Sequence, residues 1–384
     1  MISSISVGSL SDLKNRSYLY TIVVGASLIF IVYFTGSGLV AKDYKERISK
    51  WPMEGVLHAK SNVCKNQCRP QGSEALPEGI VVQTSNLEMR PLWDFSTAKD
   101  KLKPFSNLLA MAVGIKQKDI VNNIVEKFLN HDFAVMLFHY DGVVDEWSDM
   151  KWNDRVIHVS AKNQTKWWFA KRFLHPDIVA EYDYVFLWDE DIDVENFHPQ
   201  RYISILKAEG LEISQPALDP AKSVVHHPLT ARSKQAGVHR RYYKTKGSGR
   251  CDKNSSGPPC LGWVEMMAPV FSKAAWQCVW YMIQNDLIHA WGLDRQLGYC
   301  AQGDRAKNVG VVDSEYIVHL GRPTLGVLEK RDGLSESSRI DNRSAVRRQS
   351  YIEMQLFRQR WNDAVKNSKC WIDIYKQNNQ QTTP

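Results

Sequence analysis

An apolar run that stops in a crowd of carboxylates constrains this chain more than any other stretch. Val185 to Trp188 has the β-branched and aromatic composition of one buried strand, and Asp189, Glu190, Asp191 and Asp193 follow at once. Like charges this close repel unless something cationic sits between them. In open α/β sheets ligands bind at the carboxyl ends of strands, so a hard divalent cation is the simplest counter-charge here. Oxygen donors of this kind suit magnesium, calcium or manganese, and such an ion commonly bridges a carboxylate pair and substrate phosphates. The same residues also read as a solvated acidic turn closing a strand.

The residues in front of this stretch set the fold class. Leu108 to Val113 predicts a strand, and Lys118 to Asn130 a helix with Ile120, Ile124, Val125, Phe128 and Leu129 at helical spacing. Phe133 to Tyr140 and Arg155 to Val159 predict two further strands, and Thr165 to Leu174 a helix stopped by Pro176. This alternation predicts an α/β fold with a mostly parallel, Rossmann-like sheet flanked by helices. Later elements expected are a helix over Pro199 to Glu209, a strand over Leu211 to Gln215 and a helix over Lys273 to Ile283. Strands over Val309 to Val312 and Tyr316 to Val318 and an amphipathic helix over Ala345 to Trp361 complete the reading. No Gly-x-Gly-x-x-Gly follows the first strand and no Walker loop is present, which disfavours nicotinamide dinucleotides and P-loop chemistry.

Domain organisation follows from composition along the chain. Residues 1–17 read as a cytoplasmic tail and 18–40 as a transmembrane anchor, since Tyr18 to Val40 carries no charge. Residues 41–78 read as a stem, 79–363 as a globular domain and 364–384 as a polar tail. Lysines and arginines around the span lean weakly towards a cytoplasmic C-terminal side. Sequons at Asn163, Asn254 and Asn342 argue the reverse, as does a disulfide-compatible Cys251 and Cys260 pair among seven cysteines. The expectation is therefore a single-pass type II protein with a lumenal domain. A net charge of +7 spread along the chain, with no nucleic-acid-binding motif, implies no nucleic acid partner.

Three further places carry candidate chemistry. The segment His226 to Arg250 is rich in His and basic residues, and Arg232, Arg240 and Arg241 are candidates to receive phosphates of a bound substrate. The bland alternative is a solvated loop. Asp294 sits beside Trp291 near a helix start, where it also reads as a cap, and His319 ends a late strand.

Taken together, the chain from Leu87 to Asn362 resembles a plant family with a domain of unknown function, labelled lysine ketoglutarate reductase trans-splicing related. The resemblance lies in Tyr184-Val185-Phe186-Leu187-Trp188-Asp189-Glu190-Asp191, Gly262-Trp263-Val264-Glu265-Met266-Met267-Ala268-Pro269-Val270-Phe271 and Trp291-Gly292-Leu293-Asp294. Its implied fold is similar to the GT-A type of nucleotide-sugar-dependent glycosyltransferase. That resemblance implies Asp189 and Asp191 as a metal pair for Mn2+ or Mg2+, with His319 as third ligand and Asp193 a spare acid. It implies a nucleotide-sugar donor, a glycan or other hydroxyl acceptor and Golgi residence. Asp294 is the expected base for the acceptor hydroxyl, with Glu265 as second choice. The competing readings are a non-catalytic glycan- or partner-binding module on the same fold and, last, an oxidoreductase.

Overall fold

The computed structural model describes residues 105–233, 237–244, 250–322 and 336–368, together with 371 and 373. All of them fall in one compact unit, Gly79–Pro384. The anchor and the stem lie outside the described residues. No helix among the described residues is long and apolar enough to cross a membrane.

The first half builds as the alternation predicts. Strands β1 (Asn107–Val113), β2 (Phe133–His139), β3 (Ile157–Ser160) and β4 (Tyr184–Trp188) lie in the order β3-β2-β1-β4, all parallel. Helix α1 (Lys118–Leu129) and helix α2 (Lys166–Phe173) are its crossovers. α1 buries Val121, Ile124, Val125, Phe128 and Leu129, so its 3.6-residue stripe lies against the sheet. The Phe128 ring meets Phe133, Phe186 and Trp188 edge-on, at centroid distances of 4.9, 5.7 and 5.3 Å. Such edge-to-face pairs add about 0.5–1.5 kcal/mol each beyond area burial. They anchor the strand that ends in the acidic stretch.

Beyond β4 the sheet becomes mixed, with short antiparallel pairs joining the longer parallel ones. Strand β5 (Ile192–Asp193), helix α3 (Pro199–Glu209), strand β6 (Ile213–Leu218), strand β7 (Val238–His239), strand β8 (Val270–Ser272), helix α4 (Lys273–Met282) and strand β9 (Val309–His319) follow. β8 enters between β4 and β6, antiparallel to both, while β6 and β9 pair in parallel. β5 and β7 flank β9 in antiparallel pairs. An apolar run such as Val264 to Phe271 carries no mark of its direction, so periodicity alone could not distinguish the two pairings. β9 is one strand where two were expected, because its polar interior is satisfied. Buried Asp313 pairs with His239 at 2.8 Å, and buried Glu315 with Arg201 at 2.6 Å.

Helix α5 (Glu336–Asn367) is longer than the predicted 345–361. Two disulfides are formed among the described residues. Cys251–Cys260 closes as expected, and Cys278–Cys300, which was not foreseen, ties α4 to the segment carrying Asp294.

Candidate active site

At the carboxyl ends of β1, β2 and β4 lies a cavity of ≈ 980 Å³. Asp189, Glu190, Asp191, Glu265, Asp294 and His319 all line it. The chain brings them together by three local devices. β4 delivers the acidic stretch, and β5 then pairs Ile192 with His319, which sets that ring beside Asp191. The segment before β8 runs back along β4, with Asp189 N–H donating to Met267 O at 2.9 Å and Leu187 N–H to Pro269 O at 3.1 Å. That return brings Glu265 to the cavity wall.

The predicted carboxylate pair is split between two partners. Asp189 Oδ1 lies 2.7 Å from Lys166 Nζ, whose ammonium also donates to Met266 O at 2.8 Å and Met267 O at 3.0 Å. An ammonium has three protons, and three acceptors take them. Asp191 Oδ2 instead faces His319 Nε2 at 3.3 Å and accepts the Arg322 N–H at 2.9 Å. His319 Nδ1–H donates to Val224 O at 2.8 Å, an outer contact of the kind that fixes the ring of a metal-ligating histidine. Burial works against the charged ring, yet the Asp191 contact and the Val224 carbonyl hold His319 up at about 9.

Among the described residues no three His, Cys, Asp or Glu side chains converge as a complete cage would require. Manganese and magnesium are commonly held by one or two carboxylates plus substrate phosphates, so an incomplete protein set is compatible with them. Asp191 and His319 supply donor types that fit such an ion. Asp189, expected in the same set, has its Oδ1 engaged by Lys166.

The remaining acids differ in kind. Glu190 turns away from its neighbours: its Oε2 accepts the Gly114 N–H at 2.7 Å and its Oε1 the Tyr140 hydroxyl. Burial, with Asp191 and Asp189 nearby, pushes it up to about 8. A Cβ at Gly114 would stand 2.5 Å from the Tyr140 hydroxyl oxygen, so this close approach requires glycine. Glu265 is buried and pushed up to about 7 by desolvation and the charges of Asp189 and Asp294, against His319 and a Thr230 hydrogen bond. Its Oε2 has no hydrogen-bond partner among the described residues. Asp294 Oδ2 accepts the Trp263 indole N–H at 3.0 Å.

The three predicted phosphate-binding arginines do not line the cavity. Arg232 donates to Asp313 O at 2.9 Å and lies over the Tyr316 ring, Arg240 pairs with Glu209 at 2.7 Å, and Arg241 donates to Asp252 O and Ser255 O. They brace their own loop. The arginines that do line the cavity are Arg295, Arg322, Arg347 and Arg358. Lys166 was also missed, although a lysine at the first position of a helix opposes the helix dipole and so signals a partner.

A family model described as a protein of unknown function, DUF707, matches residues 67–367. No curated protein matches the chain. Among solved structures the chain is similar to S. aureus TarS 1-349, at 9% identity and a TM-score of 0.37, covering 55% of this chain and 59% of that one. It is similar to glucosyl-3-phosphoglycerate synthase from Mycobacterium tuberculosis, solved with Mn2+, uridine diphosphate and glucosyl-3-phosphoglycerate, at 11% identity and 0.34, covering 71% and 87%. It is similar as well to 4-diphosphocytidyl-2C-methyl-D-erythritol synthase from Anaerococcus prevotii, at 11% identity and 0.32, covering 63% and 96%.

Proposed function

We propose that this chain, which belongs to the DUF707 family, is a glycosyltransferase that moves a sugar from a nucleotide-sugar donor to a hydroxyl of a glycan acceptor. The observation that carries this reading is one cavity holding both the Asp191 and His319 pair and a buried carboxyl with an unpartnered oxygen, Glu265 Oε2. Asp191 and His319 would hold a divalent ion such as Mn2+ or Mg2+. When bound, that ion neutralises charge on the departing diphosphate.

The chain's own residues do the rest. Glu265 takes the proton of the acceptor hydroxyl as its oxygen bonds to the anomeric carbon and the sugar's bond to the nucleoside diphosphate breaks. The unpartnered Oε2 favours Glu265 over Asp294 for this role, since the Trp263 indole already engages Asp294 Oδ2. Asp294 orients the acceptor, with the exposed face of Trp291 as an apolar platform. Lys166 holds Asp189 and the backbone carrying Glu265 in register.

The lumenal, Golgi-type setting belongs to the same proposal, with residues 18–40 as the anchor. The Cys251–Cys260 and Cys278–Cys300 disulfides support an oxidising compartment. A thermal-shift screen of nucleotide sugars with and without manganese tests the activity: one donor should raise the melting temperature only with the ion present. No stabilisation by any donor, with glycan binding intact, would leave a glycan-binding module instead.

A further inference from the structure

Helix α5 forms one wall of the cavity through Arg347, Tyr351, Met354 and Arg358. Their spacing of four, three and four residues makes a single stripe along the helix. The neighbouring stripe fixes the rotation. Glu353 Oε2 accepts the His289 N–H at 2.8 Å, Phe357 is buried, Trp361 lies 5.2 Å from the Tyr299 ring, and Arg360 makes two 2.7 Å bonds to Asp286. With that side pinned, the arginine stripe has to face the cavity.

The two arginines sit at different ends. Arg347 acts electrostatically on His226, whose ring lies 5.4 Å from His319, so it belongs to the Asp191 end. Met354 packs on Gly292, where an added Cβ would meet it at 3.2 Å, and Arg358 follows one turn later. Eleven residues of helix span about 16 Å. A nucleoside diphosphate concentrates its charge at the Asp191 end, where Arg322 and Arg347 stand. Arg358 is left beyond its reach.

Several arginines outside the cavity are engaged, Arg232 and Arg241 by backbone carbonyls and others by carboxylates. Arg201, Arg240 and Arg360 each have a carboxylate within 2.7 Å. Arg295, Arg322, Arg347 and Arg358 have none among the described residues, although five acidic residues line the same cavity. Trp291 and Tyr351, both exposed, offer apolar faces on which sugar rings can lie.

Resting on the transferase reading, we propose that the acceptor is an anionic oligosaccharide more than one sugar long, and that Arg358 receives a carboxylate on a sugar beyond the one modified. The planar guanidinium suits a uronate because it can donate two parallel hydrogen bonds to it.

Calorimetric titration of the full chain with a uronic-acid trisaccharide, and with the same trisaccharide carboxyl-reduced to alcohols, tests this in the presence of manganese and UDP. The acidic form should bind about tenfold tighter at low salt, with the gap narrowing as salt rises. Arg358→Gln should remove most of that gap without weakening the neutral form, and Arg348→Gln, outside the stripe, should leave it intact. Equal affinity for both trisaccharides, or an unchanged gap in Arg358→Gln, overturns the proposal. Titration of UDP with manganese alone separates the two claims: UDP binding without acid preference defeats only the acceptor assignment, and acid preference without UDP binding defeats only the transferase reading.

Discussion

On the floor of the cavity the acidic stretch is answered by the protein itself: Lys166 faces Asp189, His319 and the Arg322 amide face Asp191, and Tyr140 and the Gly114 amide hold Glu190. On the walls, Glu265 Oε2 and four arginine side chains have no such partner among the described residues. The contrast is one of purpose. Charges next to a buried strand must be compensated for the chain to fold, because burying an uncompensated charge costs more than a domain can spare. Charges left open in a cavity are compensated by what binds there.

The largest effect is expected on the floor at Asp191. Asp191→Ala should weaken manganese-dependent nucleotide binding by about 100-fold or more, since it removes the carboxylate that the His319 ring faces. Titration calorimetry checks this, and wild-type affinity in the variant would remove the metal assignment.

Next is Glu265 on the wall. Glu265→Gln should lower kcat by about 10²–10⁴-fold with donor affinity nearly unchanged. A base must be ionised to act, so wild-type activity should rise with pH through about 7, where burial holds this carboxyl. Stability should move the opposite way. Because the folded carboxyl titrates above its ordinary 4.5, its favourable protonation is complete at low pH and is lost as pH rises through about 7. Glu265→Gln keeps the neutral form, so it should melt at the same temperature as wild type near pH 4 and several degrees higher at pH 8. A melting difference independent of pH would contradict this.

Lys166→Met should cost about 2 kcal/mol, since it leaves Asp189 Oδ1 and the Met266 carbonyl without that donor, while Met267 O keeps the Asp189 N–H. Urea unfolding measures that loss directly, and a change within error would mean that the ammonium is not the floor's counter-charge. The smallest effect is expected away from the cavity. Arg240→Gln breaks a partly exposed pair with Glu209 and an exposed bond to Lys307 O, so stability should fall by about 1 kcal/mol and turnover by less than twofold. A large loss of turnover there would restore the basic loop as a phosphate site.

Much of the scaffold was legible in local pattern. Helix Pro199–Glu209 has its proline in the first turn and ends at Gly210, in the left-handed region at φ 64°, as terminal signals of that kind require. The apolar run of β4 and the acids after it likewise identified the strand end on which the cavity is built. The site was legible in part. Asp189, Asp191, Glu265, Asp294 and His319 were named from sequence and line the cavity, but which of them touch was not readable. Asp189 and Asp191 are two residues apart and meet different cations, because the ammonium on α2 and the imidazole on β9 arrive from either side.

The basic loop shows the limit most clearly. Arg232, Arg240 and Arg241 had the right charge downstream of an acidic site, yet each found its acceptor outside the cavity. Arg347 and Arg358 lie on a helix whose role in the cavity depended on how it was rotated, and that was decided by Glu353, Phe357 and Trp361 packing on distant partners. By itself the sequence determined the first four strands, most of the helices, the strand end crowded with carboxylates and the disulfide-closed loop, since these rest on spacing between near neighbours. Only the tertiary structure decided the direction of β8, the partner of each acid and the arginines left open to a ligand. Those depend on contacts between residues far apart in the chain, and a hydrogen bond or ion pair is set by the geometry of both ends.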